Sequence, residues 1–308
     1  MKISQSGAVT TITIDVSKTP EQWILLASDC HHDSVKCNMA LEERHLKELK
    51  ARDGMGFYFG DIFDAMQGRF DPRRSMAELR PEYRRDDYYD FVVKDIGDFF
   101  ADYSPNIALI SDGNHELAVL KSANTNLVDR LVGRINQQTG SRIVHGGYGG
   151  WVRFMIQRKG VPKGSIKLKY FHGAGGEAPV TRGVIQTNRQ AVYLPDADIV
   201  VNGHSHNTYY IPISRERIGG KGTLFYDIQH HIRTPGYKND YADGTGGWDV
   251  TRGGVPKPVG AVWCLIKWDS VTNRTMINVY PDVHGAEVCT PAGEFYTGKV
   301  YEQDASYP

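Results

Sequence analysis

Trp23-Ile24-Leu25-Leu26-Ala27-Ser28-Asp29-Cys30-His31 is a strand-length apolar run that stops at a carboxylate and an imidazole. The run Trp23 to Ala27 has no turn former in it and reads as a buried strand, far too short to cross a bilayer as a helix. A strand that ends in ligand-type side chains sets them where a pocket opens to water. The same pattern recurs downstream. Phe57-Tyr58-Phe59 leads into Gly60-Asp61-Ile62-Phe63-Asp64, and Ile107 to Ile110 leads into Gly113-Asn114-His115-Glu116. Ile166 to Phe171 leads into His172-Gly173, and Ala197 to Val201 leads into Gly203-His204-Ser205-His206.

Between these strands the periodicity changes. Asn38 to Arg52 places Met39, Leu46 and Leu49 along one helical face with Leu41 beside it, Asn38 as N-cap and Gly54 as stop. Asp86 to Tyr103, Leu117 to Leu120 and Leu127 to Ile135 also read as helical, while Thr10 to Val16 alternates as a β-branched strand. From Gly150 onward the texture is mostly strand: Trp151 to Gln157, Thr208 to Ile213, Thr223 to Ile228, Ala261 to Trp268 and Met276 to Tyr280. Helices alternating with strands early and hairpins late predict mixed sheets covered by helices, in the α/β class. Met66 to Arg85 and the glycine-rich stretch 231–258 interrupt the scheme, and loops of that length often border a site.

With 308 residues, 40% hydrophobic and 23% charged, the composition is that of a soluble globular enzyme-sized chain. Lys+Arg equals Asp+Glu at 36 each, which excludes a global pull toward polyanions or membrane surfaces, so any nucleic-acid affinity has to be local. The four cysteines, Cys30, Cys37, Cys264 and Cys289, show no CxxC spacing, and the N-terminus carries no apolar signal segment. A reducing cytoplasm is the expected setting.

Residues two apart on an extended strand face the same way, so the spacing predicts that Asp29 with His31, and His204 with His206, present paired ligands from strand ends. By the same alternation Cys30 and His32 turn away, Cys30 as buried filler. Asp61 has two carboxylate oxygens able to bridge two cations, and Asn114 offers a neutral amide oxygen. A nitrogen and oxygen set without thiolate favours Mn²⁺, Fe, Zn²⁺ or Ni²⁺ over a sulfur-rich structural zinc site. Two divalent cations bring four positive charges against the carboxylates of Asp29 and Asp61, leaving an electropositive site. Such a site attracts phosphate, turns bound water into hydroxide near neutral pH and steadies attacking and leaving oxygens. His115, beside Asn114 but not needed as a ligand, is the natural proton donor to a leaving alkoxide. Asp64 is the expected carboxylate partner that would orient it and hold it charged.

The ordered series, a match that spans about two thirds of the chain, resembles the calcineurin-like metallophosphoesterase superfamily. What the resemblance implies is a four-layer α/β/β/α sandwich, two mixed β-sheets flanked by helices, with a dinuclear metal centre at the loop ends. It implies Asp29, His31, Asp61 and His206 on one ion, and Asp61, Asn114, His172 and His204 on the other. His115 stands at the position of the family's acid and Asp64 at that of its carboxylate partner. Gly60 to Asp64 is similar to the nuclease subunits of double-strand-break repair complexes, and Gly113 to Glu116 to Ser/Thr protein phosphatases. The continuation Ala65 to Ser75 is similar to phosphoesterases encoded by tailed phages.

The expectation is a single domain over 1–308, with a motif-bearing core at about 22–213, C-terminal strands and tail over 214–308, and the glycine-rich loop 231–258 among them. The expected activity is phosphoester hydrolysis by metal-bound hydroxide with two divalent ions, Mn²⁺ first, acting on a phosphodiester of a nucleotide or nucleic acid. The alternatives are a phosphomonoesterase and, from another class, a non-catalytic phosphate-binding protein braced by metal. Arg69, Arg73 and Arg74 are candidate phosphate contacts, although the nearby acids also suit a salt-bridged surface. Tyr237, Lys238, Trp248 and Arg252 mix rings with cations as base-stacking loops do, although packing explains the rings equally well. His32, His45, His145, His230, His231 and His284 fit no ligand spacing. The chain is expected in the cytoplasm, the host's if phage-encoded, with no membrane partner.

Overall fold

Long apolar strands need cover on both faces, and the chain supplies it with two sheets back to back and helices outside. The structure, a computed structural model, describes residues 2–66, 76–176, 180–220, 222–241, 248–272 and 274–284. The strands in chain order are β1 (Ile3–Ser6), β2 (Val9–Asp15), β3 (Glu21–Ala27), β4 (Met55–Phe59), β5 (Ile107–Ser111), β6 (Val144–His145), β7 (Gly149–Arg158), β8 (Val161–Phe171), β9 (Ile199–Asn202), β10 (Tyr209–Ile218), β11 (Leu224–Arg233), β12 (Val259–Asp269) and β13 (Arg274–His284). One sheet runs β13-β12-β3-β4-β5-β6 and the other β1-β2-β7-β8-β9-β11-β10. Both are mixed: β3 through β6 pair in parallel while β12 is antiparallel to both its neighbours.

Alternation sorts the side chains. Ile24 and Leu26 of β3 with Phe57 and Phe59 of β4 face inward against Ile12, Phe154, Leu168 and Ile199 of the other sheet, forming the inter-sheet core. Leu25, Ala27 and Tyr58 point the opposite way, into a second core beneath the helices α1 (Met39–Ala51), α2 (Tyr88–Ala101) and α4 (Leu127–Thr139). Helix α1 starts where expected, with the Asn38 side chain accepting the Leu41 N–H at 3.1 Å. A shorter helix α3 (Asn114–Ala123) follows β5.

Among the described residues, α5 (Val184–Tyr193) is the one helix of eight or more residues that follows β8 in the chain, and it packs on the β10–β11 side of the seven-stranded sheet. It escaped the sequence reading because its buried positions are Thr187 and Gln190 while Val184, Ile185 and Val192 face solvent, the reverse of the usual apolar stripe. Strand β11 also runs past Ile228 to Arg233, so His230 and His231 belong to the sheet rather than to the loop expected from 231. Strands from the C-terminal part are woven into both sheets, β11 between β9 and β10 and β12 against β3. Among the described residues no helix is long and apolar enough to cross a membrane.

Candidate metal centre

Strands β3, β4, β5, β8 and β9 end one to three residues before Asp29, Asp61, Asn114, His172 and His204, so the five segments meet at one edge of the two sheets. The backbone ladder continues irregularly past the strands. Asp29 N–H donates to Gly60 C=O at 2.9 Å, His31 N–H to Asp61 C=O at 3.1 Å, and Gly203 N–H to His172 C=O at 2.7 Å.

The pairing of ligand-type residues does not arise from strand pleat, as the spacing suggested. Asp29, His31, Asp61, His204 and His206 all have positive φ, between 51° and 74°. Left-handed residues alternate with ordinary ones, so the chain turns tightly and brings i and i+2 to one side. Such conformations cost about 1–3 kcal/mol each for non-glycine residues and persist only where the surroundings over-determine them. Here they do. The Asp29 carboxylate accepts the His204 N–H at 2.9 and 3.1 Å and the Ser28 hydroxyl. Glu116, buried, takes the N–H groups of Gly113 at 2.7 Å, Asp61 at 3.1 Å and Phe63 at 3.0 Å. A Cβ on Gly113 would lie 2.0 Å from Asp61 Oδ1, and one on Gly236 would lie 2.8 Å from Asp29 C=O, so both positions admit glycine alone.

Two clusters result. In the first, His31 Nε2 lies 3.3 Å from His206 Nε2, which lies 3.5 Å from Asp29 Oδ1. In the second, His172 Nε2 lies 3.2 Å from Asp61 Oδ2 and 3.1 Å from Asn114 Oδ1, which is 2.6 Å from His204 Nδ1. Bonds of about 2.1 Å to a cation put donor atoms about 3.0 Å apart at right angles and about 3.4 Å apart at tetrahedral angles, the spacing seen here. The tautomers agree. His172 Nδ1 donates to Phe59 C=O at 2.7 Å and His31 Nδ1 sits 2.9 Å from Asp64 Oδ1, so in each ring the Nε2 lone pair faces the cluster. Burial pulls the His172 imidazole down, but the Asp61 carboxylate beside it carries it up to about 10. Burial, then the neighbouring His31 ring, Lys257 and Lys238, hold His206 well below its ordinary range, neutral and able to ligate. The residues present fit a divalent metal centre.

His115 lies beside the clusters, its Nε2 3.8 Å from Asp61 Oδ2. Its Nδ1 donates to the backbone carbonyl of Asp64, not to the carboxylate expected from the sequence. That carboxylate is engaged elsewhere, 2.9 Å from His31 Nδ1 and 3.0 Å from Lys238 Nζ. Cys30, as expected, turns away, its Sγ 3.6 Å from Glu42 Oε1, and His32 Nε2 meets the same carboxyl group at 3.1 Å under α1.

The clusters floor a cleft of about 1430 Å³, and both interrupting segments border it, through Met66 and Glu78 and through Lys238, Asp240, Asp249 and residues 251–258. Arg182, Arg252 and Lys257 supply cations on its walls. Tyr237 does not reach it: the ring is fully buried and its hydroxyl bonds His45 Nδ1 at 2.8 Å, so aromatic character there serves packing. Arg69, Arg73 and Arg74 lie outside the described residues, as does the side chain of Trp248. His230 and His231 are occupied by Tyr210 at 2.9 Å and Gln229 at 2.9 Å. Lys238 was expected only as a loop cation beside the rings, not as the partner of Asp64, and Asp33 was not singled out; the one available signal for Asp33 was a further acid two places past His31.

The chain matches no protein-family model, and no curated protein matches it. Among solved structures, a metallophosphoesterase from Sphaerobacter thermophilus aligns at TM-score 0.33 and 13% identity, covering 84% of this chain and 89% of that one. A conserved protein from Streptococcus pneumoniae described as a predicted phosphoesterase aligns at TM-score 0.32 and 14% identity, over 90% and 94% of the two chains. Vacuolar Protein Sorting 29 from Cryptosporidium parvum aligns at TM-score 0.33 and 14% identity, over 86% and 98%. With identities this low, function has to be read from the chain's own side chains.

Proposed function

We propose that this chain is a dinuclear metal-dependent phosphoester hydrolase acting on a phosphodiester of a nucleotide or nucleic acid. The observation that carries the reading is the pair of adjacent nitrogen and oxygen clusters on the cleft floor, each with donor atoms at ligand spacing and ring nitrogens aimed inward. Asp29, His31 and His206 would hold one ion and Asn114, His172 and His204 the other, with Asp61 shared. Two divalent cations there, Mn²⁺ first and Fe, Zn²⁺ or Ni²⁺ as alternatives, would supply the Lewis acidity that activates water and neutralises charge growing on phosphoryl oxygens.

The chain's own residues do the rest. His115, on the cleft surface with Nδ1 committed to a carbonyl, presents Nε2 to deliver a proton to the leaving oxygen. Lys238 neutralises Asp64, so the carboxylate that backs His31 adds no net negative charge beside an anionic substrate. The preference for a diester is supported by the cleft, larger than a ligand site of about 300–1,000 Å³, and by the cations on its walls. Hydrolysis of a bis-aryl phosphate and of an aryl monophosphate, compared in Mn²⁺, tests the reading. Faster turnover of the diester is expected; preference for the monoester would make the protein a phosphomonoesterase, and no turnover of either with two ions bound would leave a phosphate-binding protein.

A further inference from the structure

The carbonyl that receives His115 belongs to a peptide unit gripped from behind. Asp33 is fully buried. Its Oδ1 accepts the Asp64 N–H at 2.6 Å and its Oδ2 the Ala65 N–H at 3.0 Å. The Tyr88 hydroxyl, at the first residue of α2, donates to the same Oδ2, and the Asp33 carbonyl accepts the Arg80 N–H at 3.0 Å. Ala65 sits at φ 49°, a left-handed conformation that such a grip has to maintain.

In a planar trans peptide the C=O and N–H point in opposite directions. The Asp64–Ala65 unit therefore has its N–H on the Asp33 carboxylate and its C=O on His115 Nδ1, so the position of Asp33 sets the direction from which the imidazole is held. A charged acceptor on the N–H also polarises the amide and strengthens the carbonyl as an acceptor. We propose that Asp33, braced by Tyr88, is the positioning residue that aims His115, acting through the peptide between Asp64 and Ala65. This stands in place of a direct carboxylate-to-imidazole contact.

The inference rests on the reading of His115 as proton donor. In that step the Nε2 proton passes to the leaving oxygen as its bond to phosphorus breaks; imidazolium becomes imidazole, the leaving group departs as an alcohol, and solvent returns the proton. Aim matters in proportion to how much the leaving group needs the proton. A nitrophenolate leaves readily without it and an alkoxide does not.

The test uses the full chain loaded with Zn²⁺ or Mn²⁺, and the variants Asp33→Asn and Tyr88→Phe checked for matched metal content and thermal midpoint. Asp33→Asn is expected to lose about 10–100-fold on a diester with an alkyl leaving group, the range for an outer-shell partner, and only a few-fold on a nitrophenyl diester. Tyr88→Phe should follow the same order with a smaller loss, and covers the case in which Asp33→Asn does not fold. Equal losses on both substrates, or none, would overturn the proposal. Histidine-ring ¹⁵N spectra of the Zn²⁺-loaded protein decide it independently of turnover. A single Nδ1–H tautomer at His115 in the parent, mixed in Asp33→Asn, supports the assignment, and an unchanged ring rejects it. A parent protein without phosphoesterase activity would sink the hydrolase reading while this spectral result still answers for Asp33.

Discussion

The floor and the walls of the cleft are built on opposite terms. On the floor, Asp29, Asp61 and His172 are buried and each is tied to backbone groups of two or three other segments. On the walls, Arg182 and Arg252 are exposed, and Lys257 meets Asp249 at 2.9 Å while a quarter of its side chain remains open. The floor tolerates one arrangement, since five left-handed non-glycine residues survive there only through mutual support. Contacts of exposed wall cations are screened by solvent and contribute little each. Chemistry is therefore expected to reside in the floor and selectivity in the walls, a division that substitutions can break in a graded order.

The largest effect is expected at Asp61. Its Oδ2 faces His172 at 3.2 Å and its Oδ1 accepts the His115 backbone N–H at 3.0 Å, so it joins one cluster to the proposed proton donor. Burial works against its charge, yet the His172 and His115 rings hold the carboxyl well below its usual range. Asp61→Asn keeps the shape and removes the charge. Metal affinity should fall by more than about 100-fold, the ceiling for outer-shell partners, and turnover should nearly vanish. Elemental analysis after dialysis together with a diesterase assay checks this; full metal content and activity would remove Asp61 from the floor.

His115→Ala comes next and separates acid from ligand. A loss of about 10²–10⁴-fold in kcat is expected, with both ions retained, because the contacts of 3.5 Å or less within the two clusters leave this ring out, its Nε2 standing 3.8 Å from Asp61. Loss of an ion along with the rate would show that His115 ligates and that the proton comes from elsewhere.

These two residues were the easier ones to find. Strand-to-ligand transitions at Asp29, Asp61, Asn114, His172 and His204 stand out in the sequence because hydrophobicity changes abruptly there, and the sheets follow from the same runs. The reason the ligands converge was not visible in that pattern. Pleat alternation accounts for Asp29 and His31 on paper, whereas the chain uses positive φ, a choice decided by Gly113, Gly203 and Gly236 closing in from segments far apart in sequence. Asp64 shows the same limit. Spacing places it near His115, but only the fold brings Lys238, 174 residues away, to claim its carboxylate. Helix α5 failed for a simpler reason, since Thr187 and Gln190 face the sheet and leave no apolar stripe to detect.

Glu116 probes how far the floor depends on what lies beneath it. Burial, with the charge of Asp61, pushes its carboxyl up to about 8, although three N–H donors favour the anion. A glutamine has one acceptor oxygen, so Glu116→Gln strands at least one N–H against an amide donor. A stability loss of about 1–3 kcal/mol is expected, with metal affinity down about 10–100-fold. Denaturant melts and a competitive metal titration measure the two separately. Lost stability with unchanged affinity would make Glu116 a brace for the turn alone.

The smallest effects belong to the walls. Arg252 and Lys257 border the cleft, and contacts of exposed cations are worth about 0.2–1 kcal/mol, at most about fivefold in affinity. Arg252→Ala should raise KM up to about fivefold and leave kcat alone, and Lys257→Ala should raise KM to the same extent, with the difference shrinking as salt rises because exposed charges are screened beyond about 10 Å at 0.1 M. The sharper observation is the comparison between substrates. A longer oligonucleotide engages more of the wall than a bis-aryl phosphate does, so the KM penalty should appear with the first and fade with the second. Steady-state assays on both, at low and high salt, decide it. A fall in kcat on the small diester with Arg252→Ala would mean that this cation acts at phosphorus, and the division between floor and walls would have to be redrawn with Arg252 inside the reacting centre.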